Sequence, residues 1–174
     1  MNNYNELEHK DTINSIINDF SDYVKNISPK GLTAEAHLKY ATGKTDIILV
    51  PFENEDDKYH MMKALGHKAA KENIRRKLEY FTFISEAWMK RFNPDEIPSN
   101  KVRVSSYPDK REVLIIMCLH IESRTSLLAA LDIKRDSDKR IIELSLEKGF
   151  SKIDLKESQI LFDFMEGYDG YFMC

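Results

Sequence analysis

A chain of 174 residues, 42% apolar and 32% charged, has the length and balance of one globular domain with a single core. Its net charge of −3 gives no general attraction to nucleic acid or anionic membrane, and no apolar run approaches the roughly 20 residues of a membrane-crossing helix. The polar start MNNYNELEHKDT lacks the form of a signal peptide, and Cys118 and Cys174 make no disulfide framework, so reduced thiols in the cytoplasm are expected.

Residues 11–27 place Ile13, Ile16, Ile17, Phe20, Val24 and Ile27 at helical spacing, with polar residues on the other side. Ser28-Pro29 and Gly31 stop that helix. Thr33 is a fair N-cap for a short second helix through Ala41, closed by Gly43. The run 45–52 (TDIILVPF) reads as a buried strand, and Pro51 ends it or marks an edge. The acidic segment Glu53–Asp57 opens a helix to about Arg76, with Tyr59, Met62, Leu65 and Ala69 as its apolar stripe. Gly66 and Ala70 allow a close approach of this helix to the sheet.

The two strongest apolar segments are 78–89 (LEYFTFISEAWM) and 112–121 (EVLIIMCLHI), both rich in aromatic and β-branched residues. In the second, the odd positions Val113 to Ile121 are uniformly apolar. The even positions are apolar in the middle, with polar Glu112, His120 and Glu122 toward the ends. Strand, helix and strand over 45–89 suit a crossover. Ser123-Arg124 and Asp136-Ser137-Asp138 are turns into strands 127–135 and 140–146, giving an antiparallel meander closed by Lys148-Gly149. Asp154 with Glu157 has the spacing of a capping box for a final helix ending at Gly167. The expectation is one α+β domain. N-terminal helices cover about 5–42, a mainly antiparallel sheet of about five strands covers 45–148, and the C-terminal helix covers 154–167.

ISEAWM at 84–89, IPSN at 97–100 and YPDKREVLIIM at 107–117 together resemble a loose family of small prokaryotic and phage-encoded proteins. Its members share a Ser-Glu-Ala-Trp strand, a Pro-bearing loop and an Asp-x-Arg-Glu entry into the next strand. The resemblance spans about residues 45–135. It implies a shared fold and brings no catalytic residue with it.

Four constellations carry possible chemistry. Glu86, Trp88, Arg111 and Glu112 gather at one end of the two long strands, under the long connection 90–110. Glu86 and Glu112 read either as paired carboxylates in a ligand pocket or as structural groups, with Glu86 paired to Arg111 or both exposed at the sheet end. His120 and Glu122 lie two apart on one strand, and His60 and His67 share a helix face. Neither pair comes with a recognised metal-ligand motif, so no metal and no cofactor is expected. Cys118 sits in an apolar run and reads as an inert thiol despite His120 nearby. Arg75, Arg76, Lys77, Lys90, Arg91, Lys101 and Arg103 form a basic group whose reading as a nucleic-acid patch the acidic total opposes. Whether the chain is an enzyme stays open. Without a strong catalytic motif, the leading expectation is a cytoplasmic protein acting through protein–protein contact, first of all as a homodimer. The competing expectation is a small enzyme or ligand-binding protein using Glu86, Trp88, Arg111 and Glu112. Nucleic-acid binding comes third.

Overall fold

The structure is a computed structural model that describes residues 11, 14, 15, 32–90, 104–146 and 151–173. Its strands are β1 (Glu35–Tyr40), β2 (Thr45–Leu49), β3 (Leu78–Met89), β4 (Arg111–His120), β5 (Ser126–Arg135), β6 (Ile141–Leu146) and β7 (Ser151–Ile153). The helices are α1 (Glu55–Asn73) and α2 (Gln159–Tyr171). The strands form one antiparallel sheet in the order β2-β1-β3-β4-β5-β6, with β7 pairing the other half of the β5 edge. This is the expected α+β architecture with two more strands. The expected helix over 11–27 lies outside the described residues except for Asp11, Asn14 and Ser15, which are helical and exposed.

Two expectations near the N-terminus are corrected. The segment expected as a short helix over 33–41 is the strand β1, which lies between β2 and β3. Its good helix formers are overridden by alternation, since Ala36, Leu38 and Tyr40 bury on one side at period two. Gly43 closes the β1–β2 hairpin instead of a helix, and its φ of +80° is open only to residues that tolerate the left-handed region. The run 45–52 is not a buried strand. β2 stops at Leu49 and alternates between exposed and half-buried positions, because it is the edge of the sheet. Since β1 is antiparallel to both β2 and β3, the crossover through α1 joins two parallel strands with β1 between them.

α1 begins where the charges said it would. The Asn54 side chain accepts the Asp57 N–H at 2.9 Å, and Glu55, Asp56 and Asp57 occupy the first turn. Asp154 and Glu157 do form a capping box, but on a single 3-10 turn. Ser158 then caps α2, which runs past Gly167 to Tyr171. Gly167 does not end the helix because it is needed inside it. A Cβ there would lie 2.0 Å from the Lys63 carbonyl oxygen of α1, and a Cβ at Gly66 would lie 1.9 Å from the Phe164 carbonyl oxygen of α2. The two glycines let the helix backbones touch. Gly66 therefore serves the α1–α2 contact and not, as expected, an approach to the sheet.

Both helices cover one face of the sheet. Phe81 stacks on Phe164 with centroids 3.8 Å apart, and Phe83, Leu38, Leu119, Met62 and Leu161 complete a closed core around them. Burying one such side chain contributes about 1.5–3 kcal/mol. Tyr80, Ile84, Leu114, Ile116, Leu127 and Leu131 form a second buried cluster on the opposite face. No helix among the described residues is long and apolar enough to cross a membrane.

Candidate functional site

The even positions of β3 and β4 share a face, since Tyr80 pairs with His120 and Trp88 with Glu112. This puts Glu86 and Glu112 on one side of the sheet at the same end. The residue that joins them comes from β5. Arg135 donates through Nη2 to Glu86 Oε1 at 2.9 Å and to Glu112 Oε1 at 2.8 Å, and through Nε to Glu112 Oε2 at 2.9 Å. Glu86 also accepts the Leu32 N–H at 2.9 Å. All three side chains are about one-fifth exposed. The hydrogen bonds it donates to Glu112 and the charge of Glu86 push the Arg135 pKa up against the cost of burial. The carboxylates thus do share a site, but a guanidinium holds them together. That arrangement fastens three strands, β3, β4 and β5.

Arg111 is not the partner of Glu86. It has odd parity on β4, lies on the opposite face from Glu86 and binds Asp132 at 2.9 and 3.1 Å. Trp88 is 47% exposed, with the Lys110 ammonium 4.8 Å from its ring centre. Lys90 lies 4.4 Å over the Tyr107 ring and bonds Asp109 at 2.6 Å, which holds the Asp109 carboxyl below its usual range. The four expected residues therefore share one end of the sheet but split between its faces. Most of the connection expected to cover them, 91–103, lies outside the described residues.

The histidine candidates do not converge. His120 is buried against the Tyr80 ring, and its Nδ1 accepts the Ser123 N–H at 3.2 Å. Glu122 is exposed and pairs with Lys77 at 3.2 Å. His60 and His67 sit edge-on to Tyr59 and Tyr171. No cluster of three metal-ligating side chains occurs among the described residues. Cys118 is buried, accepts the Thr82 hydroxyl at 3.4 Å and has its pKa pushed up by burial to about 11. At neutral pH it is a thiol, not a nucleophile. The described members of the basic group are dispersed. Arg76 binds Asp46, Lys77 binds Glu122, Lys90 binds Asp109, and Arg75 is exposed. Arg91, Lys101 and Arg103 lie outside the described residues.

A second site escaped the sequence reading. Between the β1–β2 hairpin and α1 lies a cleft of about 530 Å³, lined in part by Leu38, Tyr40, Asp46, Lys68, Glu72 and Arg76. Lys68, Glu72 and Arg76 follow one another at intervals of four along α1 and its end, so they share a stripe. Arg76 bonds Asp46 at 2.7 Å, reaches Glu72 at 3.6 Å and lies 4.1 Å over the Tyr40 ring. Beneath it the Tyr40 hydroxyl is buried, makes no hydrogen bond of ordinary length and interacts with the Asp46 carboxylate. Burial, and next the Asp46 charge, push its pKa up to about 12. The hydrogen bond from Arg76 holds Asp46 below the usual carboxylate range. The only local signal in the sequence was Asp46 itself, a charge inside an otherwise apolar run.

The third feature is the sheet edge. Lys44, Asp46, Ile48 and Val50 direct their peptide groups toward β1, as the bonds Tyr40 N–H to Lys44 O and Val50 N–H to Ala34 O show. Thr45, Ile47 and Leu49 therefore direct theirs outward, away from the sheet. Their side chains stand on the face opposite the helices, where Ile47 is 57% and Leu49 is 60% exposed. No family model, curated protein or solved structure matches the chain.

Proposed function

We propose that the protein is non-enzymatic and works through protein–protein contact, its first partner being a second copy joined along the outer edge of β2. The carrying observation is the outward set Thr45, Ile47 and Leu49, which is symmetric about Ile47. Two antiparallel copies centred there set Thr45 opposite the partner's Leu49 and Ile47 opposite the partner's Ile47. Every outward N–H then meets a C=O, and the exposed aliphatic side chains pack across the two-fold axis. The usual protections of an edge are missing from this stretch. It has no bulge and no proline before Pro51, and its one charge, Asp46, points toward α1. The far edge is guarded better. There β5 is shared by two separate strands, β6 and β7, and a register shift between Lys134 and Arg135 interrupts the pairing with β6.

The setting we infer is cytoplasmic, supported by cysteine usage that makes no disulfide framework. A strand edge and two aliphatic side chains per copy form a contact at the small end of specific interfaces, so a dissociation constant of roughly micromolar size is expected. Sedimentation equilibrium from about 1 to 200 μM tests this. The wild-type chain should pass from monomer to dimer, and Ile47→Lys should stay monomeric at an unchanged melting temperature. A wild type that is monomeric throughout, or an Ile47→Lys variant that dimerises equally well, refutes the reading.

A further inference from the structure

The sheet face opposite α1 and α2 is shut off from water as fully as the core beneath the helices. Ile84 and Ile116 are 1% exposed there, and Leu114 is 0% exposed. Alternate side chains of a sheet stand out from its surface, so burial this complete needs a covering layer. Every described residue of the cluster lies on β3, β4, β5 or β6, except Leu32. A single chain buries this face, so the cover belongs to the same chain and not to a second copy.

The outline of the buried area narrows the choice. It reaches β1, where Glu35 is buried beside Ile84, and stops before β2, where Ile47 and Leu49 are exposed. Along β3 it runs from Tyr80 to Glu86, about 20 Å at the rise of a strand. Leu32 shows from which side the cover arrives. Its side chain packs against the cluster, and its N–H donates to Glu86 on the same face at 2.9 Å. The sequence before it carries Ile13, Ile16, Ile17, Phe20, Val24 and Ile27 at helical spacing, and a helix over 11–27 would be roughly 25 Å long. Asp11, Asn14 and Ser15, on the other side of that pattern, are helical and exposed. The connection 91–103 offers only Phe92, Ile97 and Val102, interrupted by Pro94 and Pro98. We infer that this face is the docking surface of the chain's own N-terminal segment 11–27, which lies on it as an amphipathic helix with its polar side to water. Glu86 then has a second task beside holding Arg135: it fixes the point at which the segment joins the sheet. Because the cover stops short of β2, it leaves the outer edge of the sheet open, and it does not depend on pairing there.

Cys118 belongs to this face and reports on its cover. In the full chain carrying Cys174→Ser it is the one remaining thiol, and its reaction with an aromatic disulfide reagent is followed without urea and at rising urea below the unfolding midpoint. Phe20→Asp places a charge in the apolar stripe and should speed the reaction about tenfold or more, with little dependence on urea, because only the segment leaves the sheet. Asn14→Asp, on the exposed side, should leave the rate unchanged. A second measurement needs no substitution in the stripe. Methyl NOEs in the wild-type chain should join Ile16, Ile17 and Val24 to Ile84, Leu114 and Ile116. A Phe20→Asp chain that reacts at the unsubstituted rate, or whose rate climbs with urea as steeply as global unfolding, would overturn the inference. So would NOEs to this face from Ile97 and Val102 in place of 11–27.

Discussion

Replacing Gly66 by alanine should destabilise the protein, although the same change on an exposed helix surface stabilises by about 1 kcal/mol. The new Cβ would lie 1.9 Å from the Phe164 carbonyl oxygen, where ordinary contact begins near 3.4 Å. The atom it meets is helix backbone, so no side chain can swing aside. α1 and α2 must part by roughly 1.5 Å, which loosens the Phe81–Phe164 stack and the packing around Met62 and Leu161. Overpacking of this kind costs typically 1–3 kcal/mol, and the unseated aromatic contacts take the cost toward the upper end. Against the helix-propensity gain, a net loss of about 2 kcal/mol is expected. Gly167→Ala meets the Lys63 carbonyl oxygen at 2.0 Å and should cost about the same. The double variant should cost less than the two singles together, because one separation of the helices makes room for both methyl groups. Gly170→Ala, with nothing within 4 Å, is the control and should be neutral or stabilising. Urea unfolding at constant m-value measures all four. A Gly66→Ala variant as stable as wild type would refute the contact between the helix backbones.

Arg135→Met should cost about 2–4 kcal/mol at pH 7, because two partly buried carboxylates lose their shared cation. Urea unfolding of wild type and variant at pH 7 reads the difference, and equal midpoints would mean that the shared cation adds nothing. Tyr40→Phe should raise stability by about 1 kcal/mol, since it removes a buried hydroxyl that makes no hydrogen bond of ordinary length. A lower urea midpoint for that variant would mean that the hydroxyl is bonded. Cys118 has a folded pKa of about 11, raised above its ordinary 9.0 by burial, so the unfolded chain releases this proton first. The sign follows: its contribution is fully present below pH 9 and is lost as pH rises toward 11, by about 3 kcal/mol in all. Urea stability of wild type and Cys118→Ala, compared from pH 8 to 11, should show the extra downward slope only in the wild type.

Where side-chain period and composition agree, the fold was legible from the chain alone. β3 spans the expected 78–89, and β4 begins one residue before the expected segment, at Arg111. EAHLKY failed because its residues are good helix formers while Ala36, Leu38 and Tyr40 alternate, and pairing with β2 and β3 decides between the two. β7 is only three residues long and pairs with β5 across 126–128, a contact no local pattern announces. The partner of Glu86 is the most instructive miss. Arg111 stands at the strand end where a partner was wanted, but its odd parity puts it on the other face. Arg135 satisfies parity, and only the β4–β5 and β5–β6 registers bring it there. The Tyr40–Asp46–Arg76 group is likewise assembled by a hairpin and a helix end, from residues as much as 36 positions apart in the chain.

The same parity explains how a strand of five residues can bound two surfaces at once. Asp46 and Ile48 turn their side chains toward α1 and their peptide groups toward β1, so whatever they contact lies in the cleft. Thr45, Ile47 and Leu49 turn their side chains to the opposite face and their peptide groups outward, so they can extend the sheet. An inner position of the sheet has no such freedom, because both of its edges are bonded and, in β3 and β4, most of both faces is packed away. β2 is thus a strand with unspent backbone hydrogen bonds and two well-exposed aliphatic side chains, Ile47 and Leu49. Glu86 and Glu112 have spent theirs on Arg135 and hold strands together. Unsatisfied groups, and not merely polar ones, separate a surface that can bind from one that only holds the fold.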